Sequence, residues 1–132
     1  MNINPAFRTP PVVKNLIIAN CLLFLATYLI PSANSFLGHY GKLFWVESPL
    51  FHPYQFVSYM FLHGSFSHLF FNMFALWMFG RTLEYELGAK RFLIYYFVCG
   101  IGAALFQILV AWIAGEYYFT MIGASGATMG LL

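Results

Sequence analysis

The chain has 132 residues, of which 61% are hydrophobic and only 8% are charged. A soluble domain carries about 25% charged residues, so this composition excludes an ordinary water-facing surface. The net charge of +2 is too small for a nucleic-acid-binding footprint. Both cysteines, Cys21 and Cys99, fall within apolar runs, which favours buried apolar side chains over a disulfide framework.

The first predicted membrane span runs from about residue 12 to residue 30, "VVKNLIIANCLLFLATYLI". Its roughly 19 residues reach about 28 Å as a helix, close to the thickness of the hydrocarbon core. Pro31 is expected to end the helix. The run is too long for the core of a signal peptide, and no A-x-A-like site follows it, so we expect a retained span.

The connection from about residue 32 to residue 64 is not a polar loop. It is rich in aromatic residues with glycine and proline between them, namely Phe36, Tyr40, Phe44, Trp45, Phe51, Tyr54 and Phe56. Aromatic residues in this number suit the headgroup level of a bilayer. We therefore expect an interfacial subdomain in which short helices lie on the membrane.

Two more spans are predicted at about residues 65–87 and 89–114. Ser65 is suited to cap the first of them, and Gly88 is suited to end it. A further helix begins near Ser125, but only roughly eight residues of it are present, whereas a span needs about 20. We therefore expect this chain to be the N-terminal part of a longer protein.

The basic residues predict the orientation of the chain. Five of the six lie before span one or between spans two and three (Arg8, Lys14, Arg81, Lys90 and Arg91), and Lys42 is in the first loop. By the positive-inside rule, the N-terminus is cytoplasmic and the first loop lies on the outer side. We expect a multi-pass protein, typical of a bacterial inner or plasma membrane.

Polar residues inside a membrane are costly and by default suggest function. His68 and Asn72 are spaced i,i+4 and therefore share one helix face. They lie about 5 Å and about 10 Å below Ser65 along the helix. Ser125 enters from the same side at the start of the next helix. The three polar groups are therefore expected to meet at similar depth.

Ser125 has the surroundings that a nucleophile needs. A serine hydroxyl requires a base, and free N–H groups at a helix start favour an oxyanion. His68 and Asn72 can add side-chain donors. Gly123 and Gly126 remove side-chain bulk beside Ser125, so we expect a substrate backbone to approach closely there.

Structural alternatives remain open for the same residues. Gly126 and Gly130 form a GxxxG pattern, and on its own "GASGATMG" is more typical of helix packing than of a nucleophile. His68 and Asn72 suit an interhelical hydrogen bond equally well. His63 lies off their face and is expected to be structural, bonding loop backbone. The absence of HExxH, and of a carboxylate at this depth, argues against a metal site.

Three stretches in order resemble one family. "GASG" at 123–126 is similar to the GxSG motif of rhomboid intramembrane serine proteases, and "HGSFSHLFFN" resembles their histidine–histidine–asparagine run. "GRTLEYELGAKRF" resembles the end of their second helix. The resemblance covers about residues 16–132. It implies an all-α, polytopic membrane fold with a six-helix core, of which this single domain holds three spans and the start of a fourth.

The resemblance implies that Ser125 is the nucleophile, that His68 and Asn72 hold the oxyanion and that His63 is structural. Members of the family cleave peptide bonds in or near transmembrane segments of other membrane proteins. They use a serine–histidine dyad, with no metal and no cofactor, in a water-filled cavity that opens outward. The oligomeric state does not follow from the resemblance.

This sequence departs from the family pattern in two places. The general base of the family is a histidine on the sixth helix, to which nothing here corresponds, so we expect the chain to be inactive alone. His68 is a poor substitute, because one ring cannot easily be base and oxyanion donor at once. Tyr54-Gln55 stands where many members have Trp-Arg, which puts a loop-anchoring interaction in doubt.

Two other functions compete with proteolysis. A rhomboid-like pseudoprotease would bind membrane clients without cleaving them, and the intact Ser125 argues against it. A transporter would use the glycines for packing alone. The lack of buried charge in spans one and three, and of paired broken helices, argues against a transporter.

Overall fold

The computed structural model of the protein describes residues 8–117 and 119–131. Within these ranges the regular secondary structure is helical apart from one pair of two-residue strands. The elements in chain order are α1 (Pro11–Leu29), α2 (Pro31–Tyr40), β1 (Leu43–Phe44), α3 (Gln55–Ser58), a 3₁₀ turn (Tyr59–Phe61), α4 (Phe66–Ala75), a π-helical segment (Leu76–Gly80), α5 (Arg81–Leu87), α6 (Ala89–Ala114), β2 (Thr120–Met121) and α7 (Ser125–Met129).

Two of the described helices, α1 and α6, are long and apolar enough to cross a membrane. Only 17% of the most apolar window of each is buried against the rest of the protein. Large apolar side chains cover their outer faces, as in Leu22, Leu25, Val98, Phe106 and Ile113. Water does not solvate such surfaces, so the fold is that of an all-α membrane protein.

Pro31 was expected only to end the first helix, but it also begins the second one, α2. Helix α1 ends at Leu29, where the Ile30 N–H still donates to the Ala26 carbonyl at 2.9 Å. Pro31 is then the first residue of α2. A proline fits there because its fixed φ and missing N–H suit the first helical position. The chain therefore turns directly from the first span into the loop helix.

The predicted helix over 65–87 is helical throughout, but a π-helical segment interrupts its α-helical hydrogen bonding at Leu76–Gly80. The Ser65 cap is confirmed, because its hydroxyl accepts from the His68 N–H at 3.2 Å. Gly80 lies inside the π segment, and a Cβ there would come within 3.1 Å of Val13 and 3.2 Å of Phe92. Helices α1 and α6 therefore both approach the π segment closely.

Gln55 anchors the first loop. Its side chain is fully buried. Its amide nitrogen donates to the carbonyls of Tyr40 at 3.2 Å and Leu50 at 2.9 Å, and its oxygen accepts from the Phe44 N–H at 3.4 Å. Gln55 therefore joins three parts of the first loop through its side chain.

The strand pair was not predicted from the sequence. Leu43 faces Met121 and Phe44 faces Thr120 in an antiparallel pair. Strands of two residues are too short to show an alternating pattern. The pairing matters because it joins the first loop to the segment that leads into α7.

The Trp77–Leu87 end of the second helix is bonded to the start of α1. The Glu84 carboxylate is buried and accepts from the N–H groups of Val13 at 2.8 Å and Val12 at 3.0 Å. These groups have no partner within α1, so Glu84 acts as its N-cap. The Trp77 indole donates to the Thr9 hydroxyl at 3.1 Å.

Candidate active site

Ser125 is the first residue of α7, and its side chain is exposed. The opposite face of the short helix packs on α6. A Cβ on Gly126 would lie 2.7 Å from Ala103, and one on Gly130 would lie 2.6 Å from the Cys99 sulfur. The GxxxG face therefore makes helix contacts and leaves Ser125 pointing away from them. The packing role of the glycines and the exposure of the serine are compatible.

At Gly123 and Gly126, other parts of the protein fill the space that a side chain would occupy. Gly123 has φ of +107°, a conformation that favours glycine, and a Cβ there would lie 2.6 Å from Cε1 of His68. Gly126 is filled in the same way by α6. Both glycines therefore allow protein groups to pack closely beside the Ser125 segment.

His63 holds the backbone just before Ser125. Its Nε2 accepts from the Ala124 N–H at 3.3 Å, and its ring lies 5.0 Å from that of His68 in an edge-on arrangement. Burial, and secondarily the nearby His68, lowers the pKa of His63 to about 4. The ring is thus neutral near pH 7, as an acceptor nitrogen must be.

Asn72 connects α4 to α7. It is 6% exposed, and its amide nitrogen donates to the His68 carbonyl at 2.7 Å. Its oxygen lies 3.4 Å from the Thr128 hydroxyl, a hydrogen bond between the two helices. Thr128 is a site neighbour that sequence reasoning missed. The signal was its position three residues after Ser125, on the face that turns toward α4.

His68 and Asn72 thus both contact the segment that carries Ser125, one through Gly123 and the other through Thr128. In the described part of the chain, neither the Ser125 hydroxyl nor the His68 ring nitrogens have a hydrogen-bond partner. A hydroxyl needs a base before it can attack a carbonyl. The described residues place no base on Ser125.

A cavity of about 990 Å³ adjoins this region. It opens between α1, α2 and the loop before α4, and His63, Ser65 and Ile122 are among its lining residues. Ser125, His68 and Asn72 do not line it. Across residues 8–117 and 119–131, no three His, Cys, Asp or Glu side chains group closely enough to hold a metal ion.

The chain is similar to known proteins along most of its length. A rhomboid-domain family model matches residues 51–132. Rhomboid protein 1, mitochondrial, of Saccharomyces cerevisiae is 33% identical over 132 residues, covering 96% of this chain and 36% of the relative. Rhomboid protease AarA of Providencia stuartii is 38% identical over 82 residues, covering 54% of this chain and 29% of the relative.

A third relative is named as an inactive member. Inactive RHOMBOID-like protein 8 of Arabidopsis thaliana is 32% identical over 100 residues, which cover 71% of this chain and 28% of the relative. The chain spans about a quarter to a third of the length of the curated relatives it matches. The matched domain covers the second helix, α6 and the segment with Ser125, and the chain therefore belongs to the rhomboid family.

Proposed function

We propose that this chain is part of an intramembrane serine endopeptidase that cleaves peptide bonds in or near transmembrane segments of other membrane proteins. Ser125 is the nucleophile. One observation carries the proposal, namely that the Ser125 hydroxyl is exposed and unpartnered within the described residues, where two polar side chains of α4 contact its segment. Among the described residues, none lies as a base on the Ser125 hydroxyl.

His68 and Asn72 are proposed to stabilise the oxyanion. An amide nitrogen carries two hydrogens, and Asn72 uses one of them on the His68 carbonyl. The other remains for a developing negative charge. The His68 ring packs on Gly123 and has a nitrogen to donate. Preorganised donors of this kind stabilise the negative charge that develops in the transition state.

His63 has a supporting role in this proposal. Its hydrogen bond to the Ala124 N–H fixes the backbone next to the nucleophile. Because the ring is neutral near pH 7, it holds this backbone without adding a charge beside the site. Gly123 supports the site by admitting the His68 ring, and Gly126 by admitting α6.

The distribution of basic residues supports a cytoplasmic N-terminus and a site that opens to the outer side. Both the lipid bilayer and a transmembrane substrate are then partners. The mechanism needs neither a metal nor a cofactor, since attack, oxyanion stabilisation and proton transfer are all performed by side chains and backbone.

Cleavage of a transmembrane reporter by the full-length protein in proteoliposomes tests the proposal. Ser125→Ala should abolish cleavage. Ser67→Ala is the matched control, because Ser67 is an exposed serine on α4 outside the proposed site. Cleavage that persists in the Ser125→Ala variant would remove the nucleophile assignment.

The alternative is a non-catalytic, client-binding member of the family, and one relative is indeed named inactive. If the full-length wild type captures a transmembrane client but never cleaves it, under conditions in which a rhomboid protease does, this alternative replaces the proposal.

A further inference from the structure

Tyr59 is a fully buried residue of the 3₁₀ turn, and sequence reasoning gave it no role. Both its backbone and its side chain bond to parts of the fold that surround Ser125. Its carbonyl accepts from the Gly123 N–H at 2.8 Å. Its hydroxyl donates to the Gly100 carbonyl of α6 at 2.6 Å.

Tyr59 also touches the other side of Ser125. A Cβ on Gly126 would lie 3.2 Å from the Tyr59 hydroxyl oxygen. The same tyrosine therefore contacts the chain two residues before Ser125 and one residue after it. The next residue, Met60, packs against Gly100, which has no side chain. The 3₁₀ turn therefore packs closely on α6 at Gly100.

We propose that Tyr59 is a positioning residue that fixes Ser125 relative to α6. This inference rests on the proposed function, in which Ser125 is the nucleophile. A reactive group must be held within about 0.5 Å of its productive place, and a misplacement of about 1 Å can cost roughly 10²-fold in rate. The Tyr59 hydroxyl supplies a side-chain hydrogen bond that holds the 3₁₀ turn on α6, so its loss lets the turn, and with it the Ser125 segment, shift.

Tyr59→Phe in the full-length protein tests the inference, with Tyr96→Phe as the matched control. Tyr96 is also fully buried and nearby, but its hydroxyl has no hydrogen-bond partner in the described part of the chain. The measurements are the inactivation rate constant and the affinity for a fluorophosphonate probe. Hydrogen exchange of residues 121–131 is followed in parallel.

Tyr59→Phe should slow inactivation about 10-fold at unchanged probe affinity, a loss smaller than a full 1 Å misplacement causes. It should also speed exchange around Gly123, whereas Tyr96→Phe should change neither. Equal behaviour of the two variants would overturn the inference. So would a lower melting temperature with the inactivation rate constant intact, since that is the result of a merely structural role.

Failure of the proposed function would look different. If the wild type never reacts at Ser125, yet Tyr59→Phe still speeds exchange around Gly123, the serine is not a nucleophile but Tyr59 does fix the segment. Hydrogen exchange thus tests the placement without relying on activity.

Discussion

The two ends of the second helix use their polar side chains differently, with two exceptions. Arg81 has a buried Nη1 without a hydrogen-bond partner in the described residues, and Asn72 is bonded to His68 and Thr128. We call Trp77 and Glu84, with their partners in and just before α1, the tied end, because each has a hydrogen-bond partner at 3.1 Å or less. We call His68 and Asn72, with Ser125, the open end. There the His68 ring nitrogens and the Ser125 hydroxyl have no partner within the described residues.

Polar side chains that have hydrogen-bond partners are structural, whereas those without partners are candidates for catalysis. Burying a polar group without a partner costs free energy, so a protein normally satisfies it. At the tied end the carboxylate of Glu84 is fully used in holding α1. Donors that stay free at the open end remain available to a substrate. In a membrane protein, a polar group without a hydrogen-bond partner therefore indicates a functional site better than the mere presence of a polar residue does.

After Ser125→Ala, the largest expected effect at the open end is that of Asn72→Ala. In the full-length protein it should lower kcat by about 10²–10³, the range for a lost oxyanion donor, if Asn72 is the main side-chain donor. Reporter cleavage at saturating substrate measures this. Turnover at the wild-type rate would leave Asn72 only its hydrogen bond to Thr128.

Asn20→Ala is the matched control for Asn72. Asn20 is a fully buried asparagine of α1, and its amide donates to the carbonyl four residues earlier at 2.7 Å. Asn72 makes the same kind of bond at the same distance. Only Asn72 lies beside Ser125, so Asn20→Ala should leave kcat unchanged even where it alters stability.

At the tied end, Glu84→Ala should affect stability and spare chemistry. It leaves the N–H groups of Val12 and Val13 without their acceptor, at a cost of about 2–4 kcal/mol in free energy of unfolding. Denaturation in detergent measures the loss, with the exposed Glu86→Ala as control. A Glu84→Ala protein that is as stable as wild type but catalytically dead would reverse the roles of the two ends.

The smallest expected effect is the dependence of folding stability on pH that His63 causes. Its pKa falls from 6.5 to about 4 on folding, so the unfolded state binds more protons within that window. Stability is therefore complete above about pH 6.5 and declines as the pH falls toward 4, with a slope of at most ~1.4 kcal/mol per pH unit because a single proton is taken up.

His63→Gln keeps an acceptor for the Ala124 N–H but does not titrate. The melting temperature of this variant should depend less on pH between 6.5 and 4 than that of the wild type, and His39→Gln, at an exposed position, is the control. An unchanged pH profile would mean that another group titrates in this range.

The sequence predicted the elements whose signal is local. The apolar runs gave the helices, Ser65 gave a cap, and the i,i+4 spacing put His68 and Asn72 on one face. Contacts between distant segments left no such signal. The tertiary fold determines three such contacts, namely the β1–β2 pair, the three hydrogen bonds of Gln55 and the hydrogen bond from Tyr59 to Gly100.

The glycines show why the remaining details could not be predicted. A bare Cα can admit a substrate, a ring or a neighbouring helix, and the sequence does not distinguish these. At Gly123 the occupant is the His68 ring, and at Gly126 it is α6. Packing elsewhere in the fold decides which group lies against each glycine.

The most direct test is to map the adduct of a fluorophosphonate probe on the full-length protein by mass spectrometry. Ser125 should carry the adduct, because its hydroxyl is exposed and His68 and Asn72 contact its segment, whereas Ser67, which is also exposed but lies outside the proposed site, should not. An adduct on another serine, or none at Ser125 in a preparation that cleaves the reporter, would contradict the account.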